Sequence, residues 1–483
     1  MVSKTEKGKL VVIIALMCVI IYTNAQNVSN PQEGGRPGNP GFEIRISPKG
    51  MKYAVRVAGN LLNSKIQHSA NSLPGFHTSS ARIWNLRIYE FRPPTYSYGV
   101  SAPNRLGWYS KGGKVSISGN WKVWKKIWFV PISKSGRFTS SASNLRVSIS
   151  AALIRNSKGV MQLENVRCYT YIGHLSLNLH GGFLDWIIDR FSWLIADKVK
   201  PMLERRLCAQ ATEFVNNNVN AELRTFPTEL PISPKFYLDY SLTSHPKMSE
   251  GSIVLPFKGE IRYYKNSEPL TFYPHKMQVQ LSNSRMVYFY GSDYIMNSFL
   301  AYAHKYGLLY FAVDKKTFPS AADYLKTSCG LLDVCLGTLF EDIAAEYPNT
   351  FASARVETTA DPTVLFTPGK AIVQVVGKLS LYIEGKKVKS LGFSFSADLK
   401  LKVTPDLEKV FGSIKINKFK LFGFNHVSAD LIIEMAKSTL QKKANKLLKT
   451  GFPIPIIQGF QIKSAHLRLL KRTAELSADL SHT

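Results

Sequence analysis

The chain of 483 residues lacks the common catalytic signatures. It contains no GxSxG, HExxH, Walker or GxGxxG sequence, and its first third is almost free of the carboxylates that general acid–base chemistry needs. Between Arg36 and Lys158 there are 20 lysines and arginines but two acidic residues, Glu43 and Glu90. We therefore expect a binding protein without cofactor or metal rather than an enzyme, and an acidic partner.

Long apolar runs are also missing. The run Leu10–Ile21 has twelve residues, which is too short for a helix to cross ~30 Å of hydrocarbon, and no later segment is apolar enough. Lysines precede this run and the small residues Thr23-Asn24-Ala25 follow it, a pattern typical of a secretory signal peptide. We expect residues 1–25 to be removed, the mature chain to be secreted, and Asn27, in an NVS sequon, to be glycosylated.

Cysteine is scarce, with five in the whole chain. Cys18 lies in the predicted signal peptide, which leaves an even number for an oxidising compartment. Three pairings are possible, and proximity in the sequence favours Cys168 with Cys208 and Cys329 with Cys335. No cysteine or histidine spacing indicates zinc.

The most informative segment present is residues 115–129, VSISGNWKVWKKIWF. With a period of two, one face is apolar apart from Gly119 and Lys125, so we expect the strand to end or bulge near Lys125. Ammonium groups attract phosphate, and indole rings favour the surface of a lipid layer. A solvated sheet face is the commonest meaning of such a pattern, and nucleic acid also binds lysine beside aromatic residues. The opposite face carries lysine and tryptophan in alternation: Lys122, Trp124, Lys126 and Trp128.

Apolar periodicity predicts a similar order of elements twice. The first half reads as a helix over 48–66, strands over 81–91, 115–130, 137–153 and 160–179, and a long helix over 183–223 that Pro201 should kink. The second half reads as a helix over 292–306, strands over 373–383 and 393–401, and a helix over 428–449. The long helices end similarly, in NVNAELRTFPTELP from Asn218 and NKLLKTGFPIP from Asn445, which indicates an internal duplication.

Five short features occur in order across nearly the whole mature chain. They are NPG at 39–41 with RISPKG at 45–50, ISGNWK at 117–122 with lysines 125 and 126, the pair Cys168 and Cys208, RMVY at 285–288 with SDY at 292–294, and GFPIP at 451–455. Together they resemble the family of bactericidal/permeability-increasing protein and lipopolysaccharide-binding protein, whose single bridge lies where Cys168 and Cys208 fall.

The resemblance implies an α+β fold of two similar elongated barrels, joined by a central antiparallel sheet in a boomerang shape. Each barrel would contain a short helix, antiparallel strands and a long helix. Residues 39–225 would form the basic N-terminal barrel, 226–270 a proline-rich linker with central-sheet strands, and 271–483 the C-terminal barrel.

The resemblance also implies that the basic tip binds lipid A of lipopolysaccharide in the anionic bacterial outer membrane, and that each barrel holds phospholipid acyl chains. The expected lipopolysaccharide contacts are Lys111, Lys114, Lys122, Trp124, Lys125, Lys126, Trp128 and Arg137. The expected pocket residues are Leu61, Leu62, Leu184 and Ile188 in the first barrel and Phe299, Leu300, Ile433 and Leu440 in the second.

The expected function is that of a secreted innate-immunity protein that permeabilises or neutralises Gram-negative bacteria and does not bind nucleic acid. An extracellular phospholipid or neutral-lipid transfer protein of the same fold is the alternative, although transfer does not need the basic first third. A heparin-type polysaccharide binder would leave Trp124 and Trp128 unexplained. The chain departs from the family in the second cysteine pair and in having only Lys65 between the first helix and Arg82, where the family's lysines are dense.

Overall fold

The structure is a computed structural model. It describes residues 30–68, 75–77, 81–127, 130–180, 200–264, 268–317, 319, 322–330, 333, 335–424, 429–454 and 459–482. The predicted signal peptide and Asn27 lie outside these residues. Among the described helices, none is both long and apolar enough to cross a lipid bilayer.

The first half begins with a helix and continues into one antiparallel sheet. Helix α1 covers Pro48–His68, close to the prediction; Ser47 Oγ accepts a hydrogen bond from the Gly50 N–H (3.2 Å), and proline takes the first helical position. The sheet has the order β2-β3-β5-β6-β7, with β4 paired to β5. Its strands are β2 (Phe76–His77), β3 (Ala81–Arg92), β4 (Thr95–Ser101), β5 (Arg105–Ile127), β6 (Val130–Arg155) and β7 (Met161–His180).

Side-chain alternation gives this sheet two different faces. On the inner face, Trp121 and Phe138 are 6% and 5% exposed, and Leu175, Leu177 and Leu179 of β7 are half-buried. His174 and His180 are exposed on the outer face. Strand β5 ends at Ile127, two residues beyond Lys125, so of the two expected outcomes it ends there rather than bulging, and it pairs with β6 without a register shift.

A helical segment covers the free edge of β7. Its described part consists of α2 (Lys200–Phe214), a π-helix (Val215–Val219) and α3 (Asn220–Arg224). Asn220 imitates a neighbouring strand: its Oδ1 accepts from the Leu163 N–H (2.8 Å) and its Nδ2 donates to the Leu163 carbonyl (2.9 Å). The disulfide Cys168–Cys208, with Cα atoms 5.5 Å apart, fastens α2 to β7, which confirms the predicted pairing.

The second half repeats this arrangement. Helix α4 covers Tyr294–Lys305, and the sheet has the order β14-β15-β17-β18-β19-β20 with β16 paired to β17. Short helices α5 (Leu336–Leu339) and α6 (Glu341–Glu346) follow β14, and the long helix α7 is Ala429–Leu448. The strands are β14 (Tyr310–Val313), β15 (Ser353–Thr358), β16 (Thr363–Thr367), β17 (Lys370–Ile383), β18 (Lys386–Val403), β19 (Lys409–Phe422) and β20 (Phe452–Pro453).

Helix α7 covers the edge of β19 by the same chemistry. Asn445 Oδ1 accepts from the Ile414 N–H (2.7 Å) and Asn445 Nδ2 donates to the Ile414 carbonyl (3.1 Å). Asn220 and Asn445 hold equivalent places in the two similar helix endings, each ahead of a Phe-Pro pair. The two halves therefore share one repeated pair of asparagine hydrogen bonds, in agreement with the predicted internal duplication.

A central six-stranded sheet, of order β10-β11-β1-β13-β22-β21, joins the halves. Strand β1, ahead of α1, and strand β13, ahead of α4, pair antiparallel with Ile44 opposite Phe289. The linker predicted over 226–270 supplies only two of the six strands, so all three predicted regions contribute to this sheet. The strands are β1 (Phe42–Ile46), β10 (Lys247–Ser249), β11 (Ser252–Phe257), β13 (Val287–Ser292), β21 (Phe460–Leu470) and β22 (Thr473–His482).

A three-stranded sheet occupies the rest of the proline-rich passage. Its strands, in the order β12-β9-β8, are Glu260–Tyr263, Phe236–Asp239 and Glu229–Ser233. Phe236 packs edge-on against Phe299 of α4, with ring centroids 4.8 Å apart. The passage that proline content marks as a connector is therefore largely ordered sheet.

A buried ion pair ties the β21–β22 turn to α4. Arg472 and Asp293 are 8% and 0% exposed, and Arg472 Nε lies 3.1 Å from Asp293 Oδ2. Arg472 Nη2 also donates to the Pro31 carbonyl (2.6 Å). Burial raises the pKa of Asp293 to about 7, and the neighbouring guanidinium opposes that rise.

We predict that Asn445→Ala lowers the free energy of unfolding by about 1–3 kcal/mol, because it leaves a strand N–H and carbonyl without partners. Lys446→Ala, one residue further along the same helix and exposed, should change it by less than about 0.5 kcal/mol. Urea denaturation of both variants measures the difference. Equal effects would contradict the strand-like role of Asn445.

We predict that Arg472→Met costs about 3–5 kcal/mol of stability near neutral pH, because it strands a buried carboxylate. Since the folded-state pKa of Asp293 lies above its unfolded value, this carboxyl favours folding at low pH, and that contribution fades as the pH rises from about 4 through 7. The loss caused by the variant should therefore shrink at about pH 5. Lys471→Met is the exposed neighbour for comparison, and a loss independent of pH would refute the account.

Candidate functional site

The alternation of the first sheet reverses along one line across its strands. Gly112 and Gly113 have φ of 82° and 81°, and Asn144 on β6 has φ of 54°. A Cβ on Gly173 of β7 would lie 2.7 Å from Asn144 Cβ, so the strands pack tightly where the alternation reverses. We call these four residues the glycine belt. Regular alternation would place Lys111 and Lys114 on opposite faces, whereas the reversal brings both to the outer face.

Arginine and lysine side chains occupy this outer face on both sides of the glycine belt. Register places Arg82 opposite Lys122, and Lys111 opposite Arg146. Like charges directly opposite each other destabilise a strand pair, and none of these four side chains pairs with a carboxylate among the described residues. We call the exposed cations the outer basic face: Arg82, Arg87, Arg92, Lys111, Lys122, Arg137 and Arg146.

The predicted contact Lys114 is engaged differently. Its ammonium lies 2.6 Å from a Glu90 carboxylate oxygen, and Arg92 lies 3.0 Å from the other oxygen. Hydrogen bonds from Lys114 and from Ser116 hold the pKa of Glu90 below its usual range. Lys114 is therefore partly neutralised, and it is a weaker candidate for an external anion than its unpaired neighbours.

The end of the sheet near the β5–β6 turn combines cations with indole rings. Trp84 and Trp124 are both half-buried; the Arg82 guanidinium lies over the Trp84 ring at 5.4 Å, and Trp124 packs on His77 with ring centroids 5.8 Å apart. Asn120 stands opposite Trp84 on one side and Arg137 on the other. We call this group the tip cluster: Arg82, Trp84, Lys122, Trp124 and Arg137.

Part of the predicted contact set cannot be placed. Trp128 lies outside the described residues, and so do the side chains of Lys125 and Lys126. By register Lys125 has the parity of the buried Trp121, whereas Lys126 has that of Lys122.

The second half contains an apolar cavity of about 160 Å³. One wall is the inner face of the sheet, where Leu379, Leu391 and Phe419 contribute, and another is α7 with Ala436 and Leu440. The size is comparable to an engineered cavity of about 150 Å³ that stays dry and binds small apolar molecules.

The remaining wall of this cavity depends on the second cysteine pair. Cys329 and Cys335 are joined, with Cα atoms 6.1 Å apart, which confirms the predicted pairing. Cys335 itself lines the cavity beside Leu336 and Phe340 of the short helices. The bridge closes a short loop directly ahead of α5, and α5 and α6 form an apolar flap over the cavity.

The expected pocket residues separate in the structure. Leu440 lines the cavity, whereas Phe299 packs in the aromatic group around Phe236, and Leu300 packs against the buried cluster of β16–β19. Ile433 is half-buried on α7 but is not part of the cavity lining. Phe299 and Leu300 are thus core residues, because α4 fills its site rather than facing a cavity.

In the first half, Leu61 and Leu62 are 53% and 42% exposed near the end of α1. Leu184 and Ile188 lie outside the described residues. The first apolar pocket stays a prediction.

Comparisons with known proteins agree with this geometry. The family description "LBP / BPI / CETP family, N-terminal domain" matches residues 54–218, and the corresponding C-terminal domain matches residues 231–482. The chain belongs to this family. The family's two-domain division coincides with the repeated halves of the fold.

Relatives cover almost the whole chain at low identity. Human lipopolysaccharide-binding protein is 24% identical over 94% of this chain and 96% of its own length. The bactericidal permeability-increasing protein of Sebastes schlegelii is 22% identical over 92% of this chain and 96% of its own. A crystal structure of lipopolysaccharide binding protein superposes with a TM-score of 0.56 at 20% identity, covering 92% of this chain and 99% of that one.

This structural likeness confirms the predicted α+β fold class of the LBP / BPI / CETP family. Sequence reasoning missed Arg82 and Trp84 of the tip cluster. Alternation in ARIWNLRIYEFR, residues 81–92, would have placed both on the polar face. The sequence alone does not reveal the register that places Arg82 opposite Lys122.

We predict that Ala436→Phe fills the cavity and abolishes binding of a small apolar fluorescent probe. Ser438→Phe, on the exposed side of the same helix, is the matched control and should leave probe binding unchanged. Fluorescence titration with each variant measures occupancy. Undiminished binding by the Ala436 variant would show that the probe binds elsewhere.

Proposed function

We propose that this chain is a secreted protein that binds lipopolysaccharide, with the tip cluster contacting the phosphates of lipid A. The observation that carries the proposal is the unpaired, like-charged pair Arg82 and Lys122 set between two tryptophans. A bridging phosphate would remove the repulsion between the cations, and the indole rings suit the boundary of a lipid layer. The printed names of the relatives support the same ligand.

The proposed contacts are the tip cluster together with Lys111 on the same face, and Lys125, Lys126 and Trp128, which follow Trp124 in the sequence. Each cation near an anionic membrane adds roughly 1 kcal/mol, so the cluster gives useful but salt-sensitive attraction. Inserted cations would displace the divalent ions that bridge neighbouring lipopolysaccharides. Neutralisation or permeabilisation of Gram-negative bacteria would follow, without any catalytic step.

Carriage of an apolar group is the second part of the proposal. The cavity between β17–β19, α7 and the flap of α5 and α6 supports it, because its lining is almost entirely apolar. Its volume suits the end of a phospholipid acyl chain rather than a whole chain. Extracellular lipid transfer is the alternative function that this cavity favours.

We predict that the triple variant Arg82→Gln, Lys122→Gln and Arg137→Gln weakens binding to lipid A vesicles about 100-fold at low salt, at roughly 1 kcal/mol per charge. The control removes three exposed lysines from β19: Lys415→Gln, Lys418→Gln and Lys420→Gln. Vesicle co-sedimentation at low and high salt gives the affinities. The proposed site is wrong if both triple variants bind like the parent.

We predict that Trp84→Phe combined with Trp124→Ala weakens binding to lipid A vesicles more than binding to soluble heparin. Phosphates and sulfates both attract the cations, but only the vesicle offers an interface for indole rings. Surface plasmon resonance with the two ligands measures the ratio. An equal loss for both would favour a polysaccharide binder, and the far-ultraviolet circular dichroism of the variant checks the fold.

A further inference from the structure

A second cavity, of about 380 Å³, lies where three separate chain segments meet. It is formed by residues 34–39, residues 275–278 and the turn between β21 and β22. It is separate from both the outer basic face and the apolar cavity of the second half. The side chains that give it its character are polar or basic: Arg36, Asn39, His275, Lys276, Lys471 and Arg472.

Hydrogen bonds fix the backbone around this cavity. The Arg36 N–H and Asn39 Nδ2 both donate to the Pro274 carbonyl, at 3.2 and 3.0 Å. The Gln278 N–H donates to Thr473 Oγ1 (2.8 Å), and this links the second segment to the turn. The cations are therefore carried by a preassembled frame, so a ligand would not have to bring the segments together.

Positive charge in the cavity is not compensated locally. Arg472 is paired with Asp293 behind the cavity, but Arg36, Lys276 and Lys471 pair with no carboxylate among the described residues, and all three are exposed. The residues lining the cavity include no aspartate or glutamate. Three uncompensated cations from three segments repel one another, and a multiply charged anion would relieve the repulsion.

The dimensions and the lining restrict the ligand. Small-molecule sites span about 300–1,000 Å³, so the cavity suits a compact ligand rather than a polymer. Arg36 offers a planar fork of donors, whereas Lys276 and Lys471 are compact charges, a combination that matches phosphate oxygens. The polar lining is unsuitable for an acyl chain.

We propose that this cavity binds a phosphate monoester through Arg36, Lys276 and Lys471. A soluble sugar or glycerol phosphate and the headgroup of phosphatidic acid share this chemistry. The site is separate from the tip cluster, so neither proposal depends on the other.

Calorimetric titration of the full chain with glycerol 3-phosphate at low ionic strength tests the proposal. The variant Arg36→Gln, Lys276→Gln, Lys471→Gln should lose at least about tenfold in affinity, the loss expected for even one charge-assisted contact. The control Lys415→Gln, Lys418→Gln, Lys420→Gln removes the same charge from β19 and should stay within about twofold of the parent. If the first triple variant fails to fold, Lys276→Gln alone provides the comparison.

The proposal is overturned if the parent shows no saturable binding, if glycerol binds as well as its phosphate, or if both triple variants lose affinity equally. Competition by vesicles containing phosphatidic acid, but not by phosphatidylcholine vesicles, would support the site and assign a lipid headgroup. Binding of the soluble ester without competition from vesicles would support the site and assign a free ester. Lipid A binding should be unchanged in the first triple variant, which separates this result from the tip cluster.

Discussion

The constraint on which this structure depends is the two-residue period of its long strands. Strands β5 and β6 run for 23 and 26 residues, so a single choice of register sorts dozens of side chains between an apolar inner face and a polar outer face. A slip by one residue would bring Trp121 to the solvent and Lys122 into the core. The glycine pair at 112–113 changes the face once, at a defined place, and so extends the basic surface toward the middle of the molecule.

Periodicity in the sequence was sufficient to predict α1, α4, α7, β3, β7 and β17 to within a few residues. Strands β5, β6 and β18 begin ten, seven and seven residues earlier than expected, and β19 was not predicted. Periodicity also predicted the outward direction of Lys122 and the inward direction of Trp121. It could not predict neighbours across the sheet. Arg82 lies opposite Lys122 on the neighbouring strand, although 40 residues separate them in the sequence. Only the fold shows that Glu90 forms an ion pair with Lys114. Local patterns report the face of a residue, whereas charge balance depends on register between distant segments.

The same distinction explains the errors around the second pocket. Phe299, Leu300 and Leu440 each fit an apolar helical stripe, and a stripe does not reveal whether its partner is a filled core or a cavity. The cavity depends on the flap of α5 and α6, which has no strong periodicity and follows the loop that the Cys329–Cys335 bridge closes. The two halves thus share one plan but differ in detail: the first has a charged outer face, and the second has an apolar flap.

The helices that cover β7 and β19 also protect the edges of these strands from pairing with other chains. A long strand with free N–H and carbonyl groups is a template on which another chain can add a strand. Asn220 and Asn445 occupy part of that template before any partner arrives. A fragment that ended before Asn220 or Asn445 would expose an unprotected strand edge, so the shortest form of each half able to remain monomeric must extend through its final helix.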